Sequence, residues 1–253
     1  MCVTSVLIIL GGIGFVVMFD IFKKKKYRRF NLHTKIVINT TLLILIFGTL
    51  LVKLADPNIS IGNALLQVIF ARTAGFATVN LQTIRNSALI IIMIIMFIGG
   101  SPASIAGGVK TTTFYTIIRS IICFGKGKKH IIAHNREINQ ESILKSYVLV
   151  TLSFVFIIFM AFLIVCVEEG LHTNLAKNQL LFKEVFFESV SAFATCGTSL
   201  GITSSLSSIS KCFIILLMYF GRLGPITFLS LLSKGNMADD EAIKYVDGEI
   251  IIG

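Results

Sequence analysis

Three stretches without a single charged side chain, residues 1–19, 36–52 and 146–167, constrain this chain more than any other feature. A hydrocarbon core of about 30 Å needs roughly 20 residues of helix to cross it, and each stretch meets or approaches that length. Composition agrees: of 253 residues, 55% are hydrophobic and 14% charged, and mean hydropathy is +0.86, more apolar mass than one water-soluble core of this length would use. The same balance excludes a disordered chain. Five cysteines, Cys2, Cys123, Cys166, Cys196 and Cys212, are odd in number and lack CxxC spacing, so they read as packed thiols and not as bridges or metal ligands. Residues 6–19 have no basic lead-in and no small-residue cleavage site, which makes them a span and not a signal peptide.

Two further apolar segments are interrupted. Residues 87–98 stop at Gly99-Gly100-Ser101-Pro102 and resume at 111–118; residues 212–221 stop at Arg222, Gly224 and Pro225 and resume at 223–232. Gly and Pro at mid-depth free backbone groups that only protein or a water-lined cavity can satisfy, so both are expected to be broken helices. Residues 61–71 and 181–194 are amphipathic, too short to cross, and end in Thr/Gly runs, the pattern of re-entrant helices. The order span, short helix, glycine loop, broken span thus occurs twice. Thr73-Ala74-Gly75 and Thr195-Cys196-Gly197 differ by 195 − 73 = 122, and Met96-Phe97-Ile98-Gly99 and Met218-Tyr219-Phe220-Gly221 by 218 − 96 = 122. Two landmarks at one offset mark an internal repeat. Ile9-Leu10-Gly11-Gly12-Ile13-Gly14-Phe15 echoes Phe97-Ile98-Gly99-Gly100, so the chain is expected to open inside the last helix of a preceding repeat.

The fold class expected is therefore all-α and membrane-embedded, with about five crossings plus two re-entrant helices. The division is 1–35 as the end of an incomplete repeat and its basic loop, 36–145 and 146–233 as two full repeats, and 234–253 as a tail. Basic residues orient it. Of 23 Lys and Arg, seven lie within 23–35 and six within 119–145, which places those two loops, and after five crossings the carboxyl tail, on the cytoplasmic side of the cell membrane. A net charge of +10 concentrated in loops leaves no uniformly basic face for nucleic acid.

A loop such as Thr73-Ala74-Gly75 or Thr195-Cys196-Gly197 after a short re-entrant helix can aim backbone carbonyls at a central axis. Carbonyls in that arrangement replace the hydration shell of K⁺, and glycine supplies the dihedrals that let successive carbonyls face one way. The helix carboxyl ends add partial negative charge. An ordinary extracellular glycine turn is the plainer reading of one copy; two copies at matching offset favour a pore. Arg222, inside an apolar run, should face a cavity with acceptors, either as an electrostatic barrier to ions or as a pin between helices. Lys110 is a second cation near the path or a residue snorkelling to the interface. Arg72 is expected to brace its loop; Glu184 and Glu188 would draw cations to the outer mouth or pair with Arg72.

Ala71-Arg72-Thr73-Ala74-Gly75-Phe76, the long run Phe97-Ile98-Gly99-Gly100-Ser101-Pro102-Ala103-Ser104-Ile105-Ala106-Gly107-Gly108-Val109-Lys110-Thr111-Thr112-Thr113, and Phe220-Gly221-Arg222-Leu223-Gly224-Pro225 resemble the pore-forming subunit of the Trk/Ktr/HKT superfamily of K⁺ transporters, the bacterial Ktr type above all. The resemblance covers nearly the whole chain and implies four linked helix–pore-helix–helix units around one pore, of which this chain matches the end of the second and the whole of the third and fourth. It implies that Gly75 and Gly197 are filter glycines, with Thr73, Ala74, Thr195 and Cys196 supplying neighbouring carbonyls. By the same resemblance residues 99–113, including Gly107, Gly108 and Lys110, form an intramembrane gate loop faced by Arg222. It implies K⁺ as transported ion with no cofactor in this chain. The implied partners are the missing amino-terminal repeats, a second copy, a cytosolic nucleotide-binding regulatory subunit and membrane lipid. The alternative function is a truncated, non-conducting membrane fragment or interaction scaffold.

Other motifs fail on chemistry. Gly100 to Thr111 superficially matches a phosphate-binding GxxxxGK[ST] loop, but Val109 intervenes before the lysine and no buried strand precedes it. His130 and His134 lack a third ligand, and no Ser/His/Asp or paired-carboxylate arrangement supports an enzyme.

Overall fold

A computed structural model describes residues 2–128, 130–134, 136–171 and 181–224. They form α1 (Cys2–Ile13), α2 (Phe15–Lys24), α3 (Leu32–Ala55), α4 (Ile61–Ala71), α5 (Asn86–Phe97), α6 (Thr111–Gly125), α7 (Gln140–Gly170), α8 (Leu181–Phe193) and α9 (Ser208–Leu223), with a two-stranded hairpin of β1 (Ile132–Ala133) and β2 (Arg136–Glu137) before α7. Pro225 of the last motif, the apolar residues 226–232 and the tail at 234–253 lie outside the described residues.

Among the described residues α3 and α7 are long and apolar enough to cross a membrane by themselves, and α1 with α2 would make a third span. One expectation is corrected here. Residues 1–19 are not one straight helix: α1 and α2 meet at 95° across Gly14, whose φ of 87° is open to glycine and strained for other residues. A Cβ there would stand 2.6 Å from Ser101 Oγ and 2.9 Å from the Pro102 carbonyl, so the bend and the segment after α5 are built around each other. The helix of residues 87–98 is likewise short; α5 ends at Phe97, and nothing from Ile98 to Lys110 is helical.

The repeat seen at the offset of 122 is reproduced in the backbone. Helix α4 ends at Ala71 and α8 at Phe193, and 193 − 71 = 122. A carboxylate near the end of each long helix secures the start of the following broken one. Asp56 Oδ2 accepts from the Arg85 backbone N–H at 3.2 Å, and Glu168 Oε1 accepts from that of Ser207 at 2.9 Å, with Arg85 and Ser207 the N-caps of α5 and α9. Both carboxylates are buried, and each supplies a partner that helix starts lack inside a membrane.

The core lies between the two repeats, where Val68, Leu89, Ile92, Phe187, Phe193 and Leu217 are wholly or almost wholly buried. Outward-facing Leu42, Leu43, Ile46, Phe47, Phe159 and Phe162 leave an apolar girdle, which hydrocarbon solvates and water would not. Gly48 is not a bystander within its span. A Cβ there would lie 2.9 Å from Ile95 Cδ1 and 3.1 Å from Val68 Cγ1, so this glycine lets α3 close on α4 and α5. Of the cysteines, Cys123 and Cys196 are buried as expected, whereas Cys166 and Cys212 are exposed on the helix surface. All four are free thiols, and no metal-holding group of His, Cys, Asp or Glu occurs among the described residues.

Candidate functional site

The two glycine loops have the same backbone. Thr73 and Gly75 have φ of 65° and 74°, Thr195 and Gly197 of 52° and 84°, and Ala74 and Cys196 between them stay negative. That alternation at corresponding positions is costly for threonine. The loops also face each other. A Cβ on Gly75 would stand 2.9 Å from the Cys196 carbonyl, and one on Gly197 would lie 3.8 Å from Gly75 Cα. Both glycines are exposed, whereas the helices that deliver the loops end in buried residues, Ala71 and Phe193.

The Cys196 thiol locks the pair. Its Sγ donates to the Phe70 carbonyl at 3.5 Å and the Ala71 carbonyl at 3.4 Å, the last turn of the opposite short helix. A buried thiol is a weak donor, but here it reaches two carbonyls at the helix end, of which that of Phe70 also accepts the Ala74 N–H at 3.1 Å. No spacing motif flagged that role; its only signal was a cysteine standing where the other copy has Ala74.

Beneath the second loop runs the segment between α5 and α6. It leaves at Ile98 and returns beside itself: Gly99 N–H donates to the Val109 carbonyl at 2.9 Å and Val109 N–H to the Phe97 carbonyl at 3.1 Å. Gly107 fits against the loop above, since a Cβ would stand 2.3 Å from Thr195 Oγ1 and 2.9 Å from the Ala194 carbonyl. Gly108, at φ 70°, donates its N–H to the Gly221 carbonyl at 3.2 Å, so the break in α5/α6 and the turn of α9 before Gly224 lie at one level. Gly100 packs against Ala106 and the Gly12 carbonyl. Ser101 anchors the far side, donating its N–H to the Gly12 carbonyl at 2.9 Å and its hydroxyl to the Ile13 carbonyl, while Ala103 accepts from Phe15 N–H at 3.3 Å. Pro102 comes next, at the half-buried turn. Gly14 and the carbonyls of Gly12 and Ile13 therefore belong to this site, although only the glycine echo in residues 9–15 hinted at it.

Cations surround the segment. The Arg222 guanidinium donates to the Ile105 carbonyl, and Lys110 Nζ to the Ala106 carbonyl at 2.5 Å. Gly12, Gly100 and Arg222 occupy the same place after the aligned Gly11, Gly99 and Gly221, so the arginine stands where the other two breaks have glycine. Buried Arg72 sends Nη2 to the Gly99 carbonyl at 3.4 Å, which makes it a brace between the first glycine loop and the start of the segment. Glu188 does not pair with Arg72; it accepts from Thr203 Oγ1 at 3.0 Å and from Ser199 Oγ. His130 pairs with Glu137 at 2.7 Å and His134 Nε2 lies 3.5 Å from Asn39 Nδ2, so the two imidazoles have separate partners.

Fold and site together define a helical protein with membrane-length apolar helices, in which two copies of one loop converge beside a non-helical segment. Residues 31–240 match the TrkH family, described as a cation transport protein, and the chain belongs to that family. It is 33% identical over 263 residues to the Ktr system potassium uptake protein B of Bacillus subtilis and 35% identical over 264 residues to protein D of the same system. Each alignment takes in 99% of this chain but 56% of the relative, so the chain spans little more than half the length of those proteins. The potassium transporter TrkH of Vibrio parahaemolyticus shares the fold, with a TM-score of 0.65 at 19% identity over 90% of this chain and 51% of that one.

Proposed function

We propose that this chain is the carboxyl-terminal part of a K⁺ uptake subunit and supplies half of its pore. The observation that carries the proposal is the pair of loops with matching φ alternation, Thr73-Ala74-Gly75 and Thr195-Cys196-Gly197, brought face to face. Backbone oxygens so arranged offer part of the shell that a dehydrated K⁺ requires. α4 and α8 act as pore helices, α5 with α6 as a broken crossing, and α9 as the start of the last of five crossings. Residues 99–110 with Lys110 and Arg222 form the gate: loop and guanidinium obstruct the path and hold each other in place. Transport by such a pore needs no covalent chemistry and no cofactor. The basic connections at 23–35 and 119–145 face the cytoplasm and offer contacts for a cytosolic regulatory subunit; pairing with a second copy completes the assembly.

Two filter segments leave an ion with too few oxygens to offset dehydration. In a K⁺-uptake-deficient bacterium at low external K⁺, the 253-residue chain should therefore fail to restore growth, whereas the same chain joined to a first helix–pore-helix–helix unit and the missing front of the second should restore it. Rescue by the 253-residue chain as a monomer would refute the half-pore assignment. An inserted, full-length joined protein that does not rescue would leave the chain as an interaction scaffold.

A further inference from the structure

Far from the pore, two connections distant in sequence close around one polar cavity of about 330 Å³. Lys24 comes from the end of α2, Arg28 and Arg29 from the link to α3, Lys35 from the first turn of α3, and His134 and Arg136 from the β hairpin. The hairpin is held there by Arg119, whose Nε donates to the Ile132 carbonyl at 2.9 Å, and by His134 beside Asn39 of α3. The positive-inside rule explains why basic residues gather near span ends. It does not explain why two separate connections should aim theirs into a common cavity, where like charges repel.

Among the cavity's cations, nearby carboxylates offset only Lys24. Asp20 accepts from Asn31 N–H at 2.9 Å and Thr34 Oγ1 at 2.7 Å and pairs with Lys24 at 2.8 Å; Glu137 pairs with His130. Lys35 donates to the Arg28 carbonyl at 3.2 Å. The guanidinium groups of Arg28, Arg29 and Arg136 have no hydrogen-bond or ion-pair partner among the described residues. Three free guanidinium forks beside the Lys35 ammonium match a phosphate, whose oxygens accept paired N–H bonds.

We propose that this cavity binds a phosphate group, carried by an anionic lipid headgroup or by a soluble phosphate compound. Its level favours the lipid. Lys24 is the last residue of α2 and Leu32 the first of α3, so the cavity opens where helices leave the hydrocarbon and headgroup phosphates lie. Occupancy would tie the hairpin to the base of α3.

The test is native mass spectrometry of the detergent-solubilised 253-residue chain, titrated separately with phosphatidylglycerol, phosphatidylcholine and inorganic phosphate. Phosphatidylglycerol should be retained in preference to phosphatidylcholine. A triple variant Arg28→Gln, Arg29→Gln, Arg136→Gln should weaken that retention at least about tenfold, while Lys25→Gln, Lys26→Gln, Lys126→Gln, equal in charge removed but outside the cavity, should weaken it far less. Retention of inorganic phosphate with the same variant dependence, and none of the lipid, would assign the site to a soluble phosphate. Equal losses in the two triple variants, or no specific retention of either ligand, would overturn the proposal. Arg28→Gln alone, on an exposed turn, serves if the triple variant does not elute as a folded species.

Discussion

Gly75→Ser or Gly197→Ser, made in the transporter completed with its preceding repeats, is expected to lower discrimination of K⁺ against Na⁺ at least about tenfold, equivalent to about 1.4 kcal/mol. Both glycines sit at positive φ, where a Cβ costs roughly 1–2 kcal/mol and tilts the peptide units on either side. The two variants should differ. At Gly75 the new Cβ meets the Cys196 carbonyl at 2.9 Å, so that variant disturbs both loops and should also lose protein yield. At Gly197 the nearest atom is Gly75 Cα at 3.8 Å, and the backbone strain acts with little clash. Gly62→Ser is the suitable control, because nothing lies within 4 Å of a Cβ there. Gly48→Ser is not, because it would force α3 away from Ile95 and Val68. Na⁺ competition with K⁺ uptake, measured per inserted protein, checks this; unchanged competition in both filter variants would remove the loops from the ion path.

The second large effect concerns Arg222. A guanidinium within an apolar span costs about 2.5–3.5 kcal/mol to insert, and here its acceptor is the Ile105 carbonyl of the segment it faces. A cation beneath a cation filter raises the barrier for the permeant ion, and releasing the segment would remove steric and electrostatic obstacles together. Arg222→Ala is therefore expected to raise K⁺ flux at least about threefold and to reduce its dependence on a regulatory partner. Shortening the segment should act likewise, provided the deletion spares Ser101 and Ala103, which hold the bend between α1 and α2. Removing Ser104 and Ile105 meets that condition. A well-expressed Arg222→Ala protein with unchanged or lower flux would show that Arg222 pins helices instead.

Much of this arrangement was legible because it is written in patterns that local physics enforces. The amphipathic run at 61–71 became α4 with those limits, and Gly99-Gly100-Ser101-Pro102 ended α5 where glycine and proline withdraw helical backbone bonds. The offset of 122 foretold that Ala71 and Phe193 would end equivalent helices. What stayed hidden depends on contacts between distant segments. The bend at Gly14 lies inside an uninterrupted apolar run, and hydropathy is blind to φ. Nothing near Cys196 in sequence reveals that its thiol reaches the end of α4, nor does Arg72 reveal Gly99 as its partner. The β hairpin is two residues per strand, too short for alternation to register, yet it completes the basic cavity.

If K⁺ passes between the two glycine loops, the ion itself can be located there. Thallous ion substitutes for K⁺ and scatters anomalously, so crystals of the completed transporter grown with it would reveal occupied positions. Anomalous peaks are expected between the carbonyls of Thr73, Ala74 and Gly75 and those of Thr195, Cys196 and Gly197, above the segment that carries Gly107. A preparation that transports thallous ion yet shows its peaks elsewhere, with none at these loops, would place the ion path outside them.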